Sequence, residues 1–227
     1  MSYIAVVGGA RPMTAEASPP DSTDFLYQTL VVDLCLPVRG ATLPADHGYG
    51  LLAALCHRVP MLHRNPCVSI LTTAGIRDRQ GKILLTPHSH IRIRLPIEAV
   101  AEVYKLAGKQ LKIGSHEVQL GIPKIFTLKP STSLKARIVT IKGYTEPDTF
   151  AQAAQAQLEK LKISGQVTVL QDKTGKPLRK TLRIKGHTII GFSTLVENLQ
   201  EEDSIRLQQV GLGGRRRMGC GFFLPYK

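Results

Sequence analysis

The chain has 227 residues, 43% of them hydrophobic, with a formal net charge of +13 and a sequence pI of about 9.8. That length holds one large domain or two small ones, and the charge favours a polyanionic partner through counterion release, although a merely soluble basic protein meets the same numbers. No stretch approaches the ~20 apolar residues that span a bilayer, the start lacks a secretory pattern, and the four cysteines form no CxxC pair, which excludes membrane, secreted and zinc-cluster classes in favour of a cytoplasmic protein with reduced thiols.

Residues 1–24 gather Gly8, Gly9, Pro12, Pro19 and Pro20 among Ser and Thr and read as a flexible leader. Their IAVVGGA piece lacks the third glycine and the following helix of a dinucleotide-binding start. From Phe25 the hydrophobic period becomes informative. Residues 25–36 read as a strand ended by Pro37. A helix is expected over 47–59, with Tyr49, Leu52, Ala53 and Cys56 facing inward, Asp46 as N-cap and Pro60 closing it. Residues 68–72 and 89–95 read as strands, the second alternating Ile91 and Ile93 against Arg92 and Arg94. A helix over 96–107 should bury Ile97, Val100, Ala101 and Tyr104, and strands follow near 110–113 and 116–121. The order over 25–121 is β-α-β-β-α-β, a ferredoxin-like unit.

After a linker at 122–133 the order recurs over 134–227. Strand 134–142 leads into helix 148–162, with Phe150, Ala154, Leu158 and Leu161 in register. Strands 166–170 and 178–192 (the latter bent near Gly186), a helix at 200–209 and a closing strand at 219–225 complete it. The expected fold class is therefore α+β, with two tandem ferredoxin-like domains and a glycine-rich loop near the C-terminus.

That loop runs Gly211-Leu212-Gly213-Gly214-Arg215-Arg216-Arg217-Met218-Gly219-Cys220-Gly221. Its glycines can bring amide donors such as those of Gly211, Gly213 and Gly214 close to phosphate oxygens, and Arg215, Arg216 and Arg217 supply planar cations. A flexible turn with a solvated charge run is the plainer alternative. Lys173, Lys176, Arg179, Lys180, Arg183 and Lys185 form a second basic element. Strand alternation puts Arg179, Arg183 and Lys185 opposite Leu182 and Ile184. It suits a nucleic-acid groove, or equally an edge strand protected by charge. Aromatics make up only 5% and tryptophan is absent, so shape and phosphate recognition of folded RNA suits the composition better than base stacking.

Among seven histidines, His47 falls at the predicted first turn of the first helix, where the helix dipole keeps an imidazole neutral and able to accept a proton. Neighbouring Gly48 leaves room for a ribose to approach. A surface histidine with no role is the alternative. His88 and His90 have no third ligand nearby, so no metal is assigned.

The double β-α-β-β-α-β plan resembles the RAMP superfamily of CRISPR-associated proteins. The segment Asp33-Leu34-Cys35-Leu36-Pro37-Val38-Arg39-Gly40, followed by Leu43-Pro44-Ala45-Asp46-His47-Gly48-Tyr49, is similar to the start of the repeat-processing endoribonucleases, particularly the subtype first named for Myxococcus. So is the tail from Arg183-Ile184-Lys185-Gly186 through the glycine-rich loop. The likeness covers about residues 27–226. It implies a cut in CRISPR repeat RNA within precursor CRISPR RNA, without a metal or other cofactor, by attack of a ribose 2′-hydroxyl that leaves a 2′,3′-cyclic phosphate. It implies a catalytic role for His47; Tyr49 and Arg39 are accessory candidates on their proximity to His47 in the sequence alone. The competing implication is a non-catalytic RNA-binding subunit of a CRISPR effector complex, whose other subunits would be further partners.

Overall fold

The computed structural model describes residues 29–78 and 80–226; the leader expected at 1–24 lies outside them. The first half runs β1 (Val31–Arg39), β2 (Thr42–Pro44), α1 (Gly48–Arg58), α2 (Met61–Arg64), β3 (Ser69–Leu71), β4 (Ile76–Arg77), β5 (Lys82–Leu84), β6 (His90–Pro96), a 3-10 turn, α3 (Val100–Tyr104), β7 (Gln110–Ile113), β8 (His116–Leu120) and β9 (Lys124–Thr127). The second comprises β10 (Leu134–Val139), α4 (Pro147–Lys160), β11 (Gln166–Val169), β12 (Arg179–Ile184), β13 (His187–Glu197), α5 (Glu201–Val210), a 3-10 turn at Arg216–Met218 and β14 (Phe223–Pro225). No described helix is long and apolar enough to cross a membrane.

The two main sheets share one strand order. β3-β6-β1-β8 in the first and β11-β13-β10-β14 in the second both place the unit's second, third, first and fourth strands side by side, as a ferredoxin-like unit requires. Each has its own apolar core. The first is built on Leu34, Leu36, Leu51, Leu55, Ile91 and Ile93, the second on Leu134, Phe150, Ala154, Leu158, Phe192 and Phe223. Helix α4 buries Phe150, Ala154 and Leu158 as its period demanded.

Several expectations need correction. Helix α1 buries Gly48, Leu51, Leu52 and Leu55, whereas Tyr49 and Ala53 are exposed. The segment at 96–107 starts as a 3-10 turn, whose tighter winding rotates the inward face to Ala99, Val103 and Leu106 and leaves Ile97 and Tyr104 outside. The stretch expected as a bare linker contains β9, which pairs with β1. The bend near Gly186 is a full reversal. Lys185 and Gly186 both have positive φ, 48° and 84°, and form a two-residue hairpin turn between β12 and β13.

The alternation in β6 is real, but its charged face is not solvent-facing. Arg94 is completely buried. It pairs across the sheet with Asp33, donating from Nε at 2.7 Å and Nη2 at 3.0 Å, and its Nη1 donates to the carbonyls of Gln208 at 2.7 Å and Phe223 at 3.0 Å. Its guanidinium also lies 4.1 Å from the ring centroid of Phe222. The second half thus covers this face of the first sheet, and one desolvated arginine bonds both halves.

Candidate functional site

His47 immediately precedes α1, at the junction with β2, and is 3% exposed. Its Nδ1 lies 2.7 Å from the Pro44 carbonyl, and its Nε2 lies 3.1 Å from the Thr73 amide nitrogen. A backbone amide can only donate and a carbonyl can only accept, so these two bonds fix one neutral tautomer with the proton on Nδ1 and the lone pair on Nε2. Burial pushes the imidazole pKa below its ordinary value. The Pro44 bond opposes this, Arg137 reinforces it and Asp46 opposes it more weakly. The expected first-turn position is thus corrected, and the surface alternative with it. His47 is a buried residue at the N-cap position, and burial has the leading part in keeping it neutral.

Asp46 is not the helix cap either. Helix α1 has no side-chain cap, and the Asp46 carboxylate accepts the amide N–H of Arg183 from β12. Gly48 is glycine for a reason other than room for a ribose. A Cβ there would lie 2.4 Å from the Met218 carbonyl oxygen, so the start of α1 is pressed against the turn Arg216–Met218.

Between the halves lies a cleft of about 470 Å³. Asp46, His47, Thr72 and Arg77 line it from the first half, and Arg137, Arg179, Lys180, Arg183, Met218 and Cys220 from the second. Five cations thus face one carboxylate. The ion pairs among the described residues, Arg92 and Arg94 with Asp33 and Lys105 with Glu102, all lie elsewhere. Lys180 has its pKa lowered by burial first, then by the charges of Arg77, Arg137 and Lys135. Such crowding of like charge stores unfavourable energy that a bound anion relieves.

The sequence-predicted residues divide. Arg179 and Arg183 line this cleft with His47. Lys173 and Lys176 are exposed around the turn held by Asp172, and Lys185 sits at the exposed hairpin tip. Tyr49 does not line the cleft, and Arg39 lines a separate groove with Leu85 and Pro87.

The glycine-rich loop is used internally. The amides of Gly211, Gly213 and Gly214 donate to the Leu207 carbonyl, the Gln157 Oε1 and the Thr140 carbonyl, so they form no phosphate cradle. Arg216 donates to the carbonyls of Val210 at 2.6 Å and Pro66 at 2.8 Å. Arg217 donates to those of Leu62 and His63. Val210 ends α5, and Leu62 and His63 belong to α2, so both arginines satisfy helix-end carbonyls that lack intrahelical donors. Arg215, with a left-handed φ of 60°, has no side-chain hydrogen bond among the described residues.

Arg137 and Arg77 are cleft residues that the sequence reading missed. Arg137 shares β10 only with Lys135, and Arg77 ends the two-residue β4, so neither belongs to a run of cations like those that drew attention elsewhere. Among the described residues no group of three or more His, Cys, Asp or Glu is placed to hold a metal ion.

A family model described as "Cas6 Crispr" matches residues 32–227. The chain belongs to the Cas6 family. It is 38% identical over 194 residues to the CRISPR-associated endonuclease Cas6 of Myxococcus xanthus strain DK1622, covering 86% of this chain and 81% of that protein. Among solved structures it is similar to a CRISPR-associated protein Cas6 (TM-score 0.61, 14% identity, 88% of this chain and 100% of the other). It is also similar to a RAMP protein described as binding different RNA substrates (TM-score 0.62, 14% identity, 86% and 98%). At such identity these structures establish the shared Cas6/RAMP fold of two ferredoxin-like units.

Proposed function

We propose that this Cas6-family chain is an endoribonuclease that binds CRISPR repeat RNA and cuts precursor CRISPR RNA, with the reacting phosphate in the cationic cleft. One observation carries the reading: a buried histidine, held neutral in a single tautomer, lines a cleft with five cations and one carboxylate. The curated relative from Myxococcus xanthus is named an endonuclease, and the RAMP structure is described as binding RNA.

In the proposed reaction the repeat's 2′-hydroxyl attacks the adjacent phosphorus. The 2′ proton passes to His47 Nε2 as general base, the P–O5′ bond breaks, and the O5′ leaving group takes a proton from water, to which His47 afterwards returns its own. The products are a 2′,3′-cyclic phosphate and a 5′-hydroxyl end. The cleft cations balance the charge that builds on the phosphate oxygens. A cleft so rich in cations is poorly suited to a divalent metal, which supports a metal-independent cut. Thr73 holds Nε2, so its amide must release the nitrogen when RNA enters. That occupied nitrogen is also the observation favouring the second reading, an RNA-binding subunit that does not cut.

Arg179, Lys180 and Arg183 on the cleft wall, continued outward by Lys173, Lys176 and Lys185, form the proposed RNA track, and Arg215 is a further proposed contact. Purified protein incubated with repeat RNA in excess chelator is expected to cut, and to stop cutting when the nucleotide 5′ of the cut carries a 2′-deoxyribose. Activity that disappears with chelator and returns with a divalent ion overturns the metal-independent mechanism.

A further inference from the structure

Strand β10 lies between β13 and β14 in the second sheet, yet its ladder slips. Ala136 pairs with Thr194 and Val139 with Phe192, so Arg137 and Ile138 form a bulge. The bulge is built in rather than accidental. The Arg137 carbonyl accepts from Ser193 Oγ at 2.7 Å and the Ile138 carbonyl from the Gly221 amide at 2.8 Å. Ser193 is the residue the bulge opposes, and just beyond it Gly191 allows a close approach of the two strands, since a Cβ there would lie 2.3 Å from the Val139 carbonyl oxygen. Bulges re-aim side chains, and this one turns Arg137 into the cleft that His47 lines.

Arg137 is exposed to solvent where it lines the cleft. Its hydrogen bond among the described residues runs to Thr72 Oγ1 at 3.3 Å. Most of its five N–H donors therefore remain available, in the fork that matches phosphate oxygens. Desolvation is the main cause lowering its pKa, and Arg77 adds to this. The cleft's single carboxylate, Asp46, is engaged by the Arg183 amide.

We infer that Arg137, with Lys180 beside it, grips the phosphate that is cut, so that the active site is composite: the proton-transfer group comes from the first half and the phosphate's counter-charge from the second. This rests on the endoribonuclease reading and names its phosphate ligand. The bulge holds Arg137 on a central strand, whereas Arg179 and Arg183 stand on the β12 hairpin. Arg137 is thus the cation that the fold positions most rigidly near His47.

The test is single-turnover cleavage of repeat RNA by wild type, Arg137→Gln, Arg137→Lys and Lys180→Gln, with binding of the 2′-deoxy RNA measured in parallel. Arg137→Gln is expected to lose about 10²-fold in the cleavage rate at saturating protein, with binding of the deoxy RNA weakened less than tenfold. The pH midpoint of the rate should also rise, because a charge that depresses the His47 pKa is gone. The other charged groups of the cleft, Asp46, Arg77, Arg179, Lys180 and Arg183, are unchanged. Arg137→Lys should keep the midpoint and recover part of the rate. A rate within threefold of wild type, or a rate loss matched by an equal loss of binding, overturns the assignment. Should Arg137→Gln not fold, Lys180→Gln decides, with a roughly tenfold rate loss supporting the clamp and an unchanged rate overturning it. A wild type that cuts nothing overturns both the clamp and the endoribonuclease reading. A wild type that cuts alongside an equally active Arg137→Gln overturns the clamp alone.

Discussion

Replacing Arg94 with Met tests how the two halves are held together. The substitution keeps much of the side-chain volume but strands Asp33, which is 3% exposed and takes two charge-assisted bonds from Arg94. It also strips a donor from the carbonyls of Gln208 and Phe223 in the second half. Removing one partner of a buried ion pair costs about 3–5 kcal/mol, and each orphaned buried acceptor about 1–3 kcal/mol more. These losses overlap, and Arg92, 3.4 Å from Asp33, compensates part of the charge. We therefore expect a net loss of about 3–5 kcal/mol, on the order of 10 °C in Tm for a chain of this size, read by urea and thermal unfolding. The double variant Asp33→Leu/Arg94→Met should recover part of the loss, since no buried charge remains unpaired. A loss below about 1 kcal/mol for Arg94→Met, the level of an exposed pair, would refute the reasoning.

Two further expectations follow from the cleft and the loop. Arg215→Ala should reduce the log–log salt slope of RNA binding by about 0.7–0.9, as one lost phosphate contact does, whereas Arg216→Ala and Arg217→Ala should lower the unfolding midpoint and leave the slope unchanged; a flattened slope in the latter pair contradicts their assignment to helix-end carbonyls. The cleavage rate should rise with pH to a plateau whose midpoint lies below the ordinary histidine value of ~6.5, because folding lowers the His47 pKa. The same shift means the unfolded chain binds that proton more tightly, so His47's contribution to stability is complete above ~6.5 and is lost as pH falls toward the folded pKa; a rate that falls with pH through this window contradicts a general-base role.

Where a period answers to one core, it could be read directly. Phe150, Ala154 and Leu158 on α4 face a single apolar layer, and their spacing alone places them. It misled where a second layer intervened. Arg94 looks solvated in an alternating strand, and only the packing of Gln208, Phe222 and Phe223 against it makes it interior. The Lys185-Gly186 reversal was read as a bend because lysine seldom adopts a positive φ. His47 was visible through the residues around it, but its burial depends on Thr73, 26 positions away. Arg137 left no local trace, because a bulge is set by the partner strand, here by Ser193 opposite and Gly191 just beyond it. The run Arg215-Arg216-Arg217 suggested one shared task. Its members instead diverge because the 3-10 turn points successive side chains in different directions.

The most direct test of the account is single-turnover cleavage of repeat RNA by wild type and His47→Ala, with His57→Ala as control, since His57 is exposed near the far end of α1 and lines a different groove. The account expects His47→Ala to lose about 10²-fold or more in rate while binding 2′-deoxy repeat RNA close to wild type, and His57→Ala to cut normally. Wild-type cleavage by His47→Ala, with circular dichroism showing a folded protein, would contradict the central claim and return the chain to an RNA-binding role or to another base.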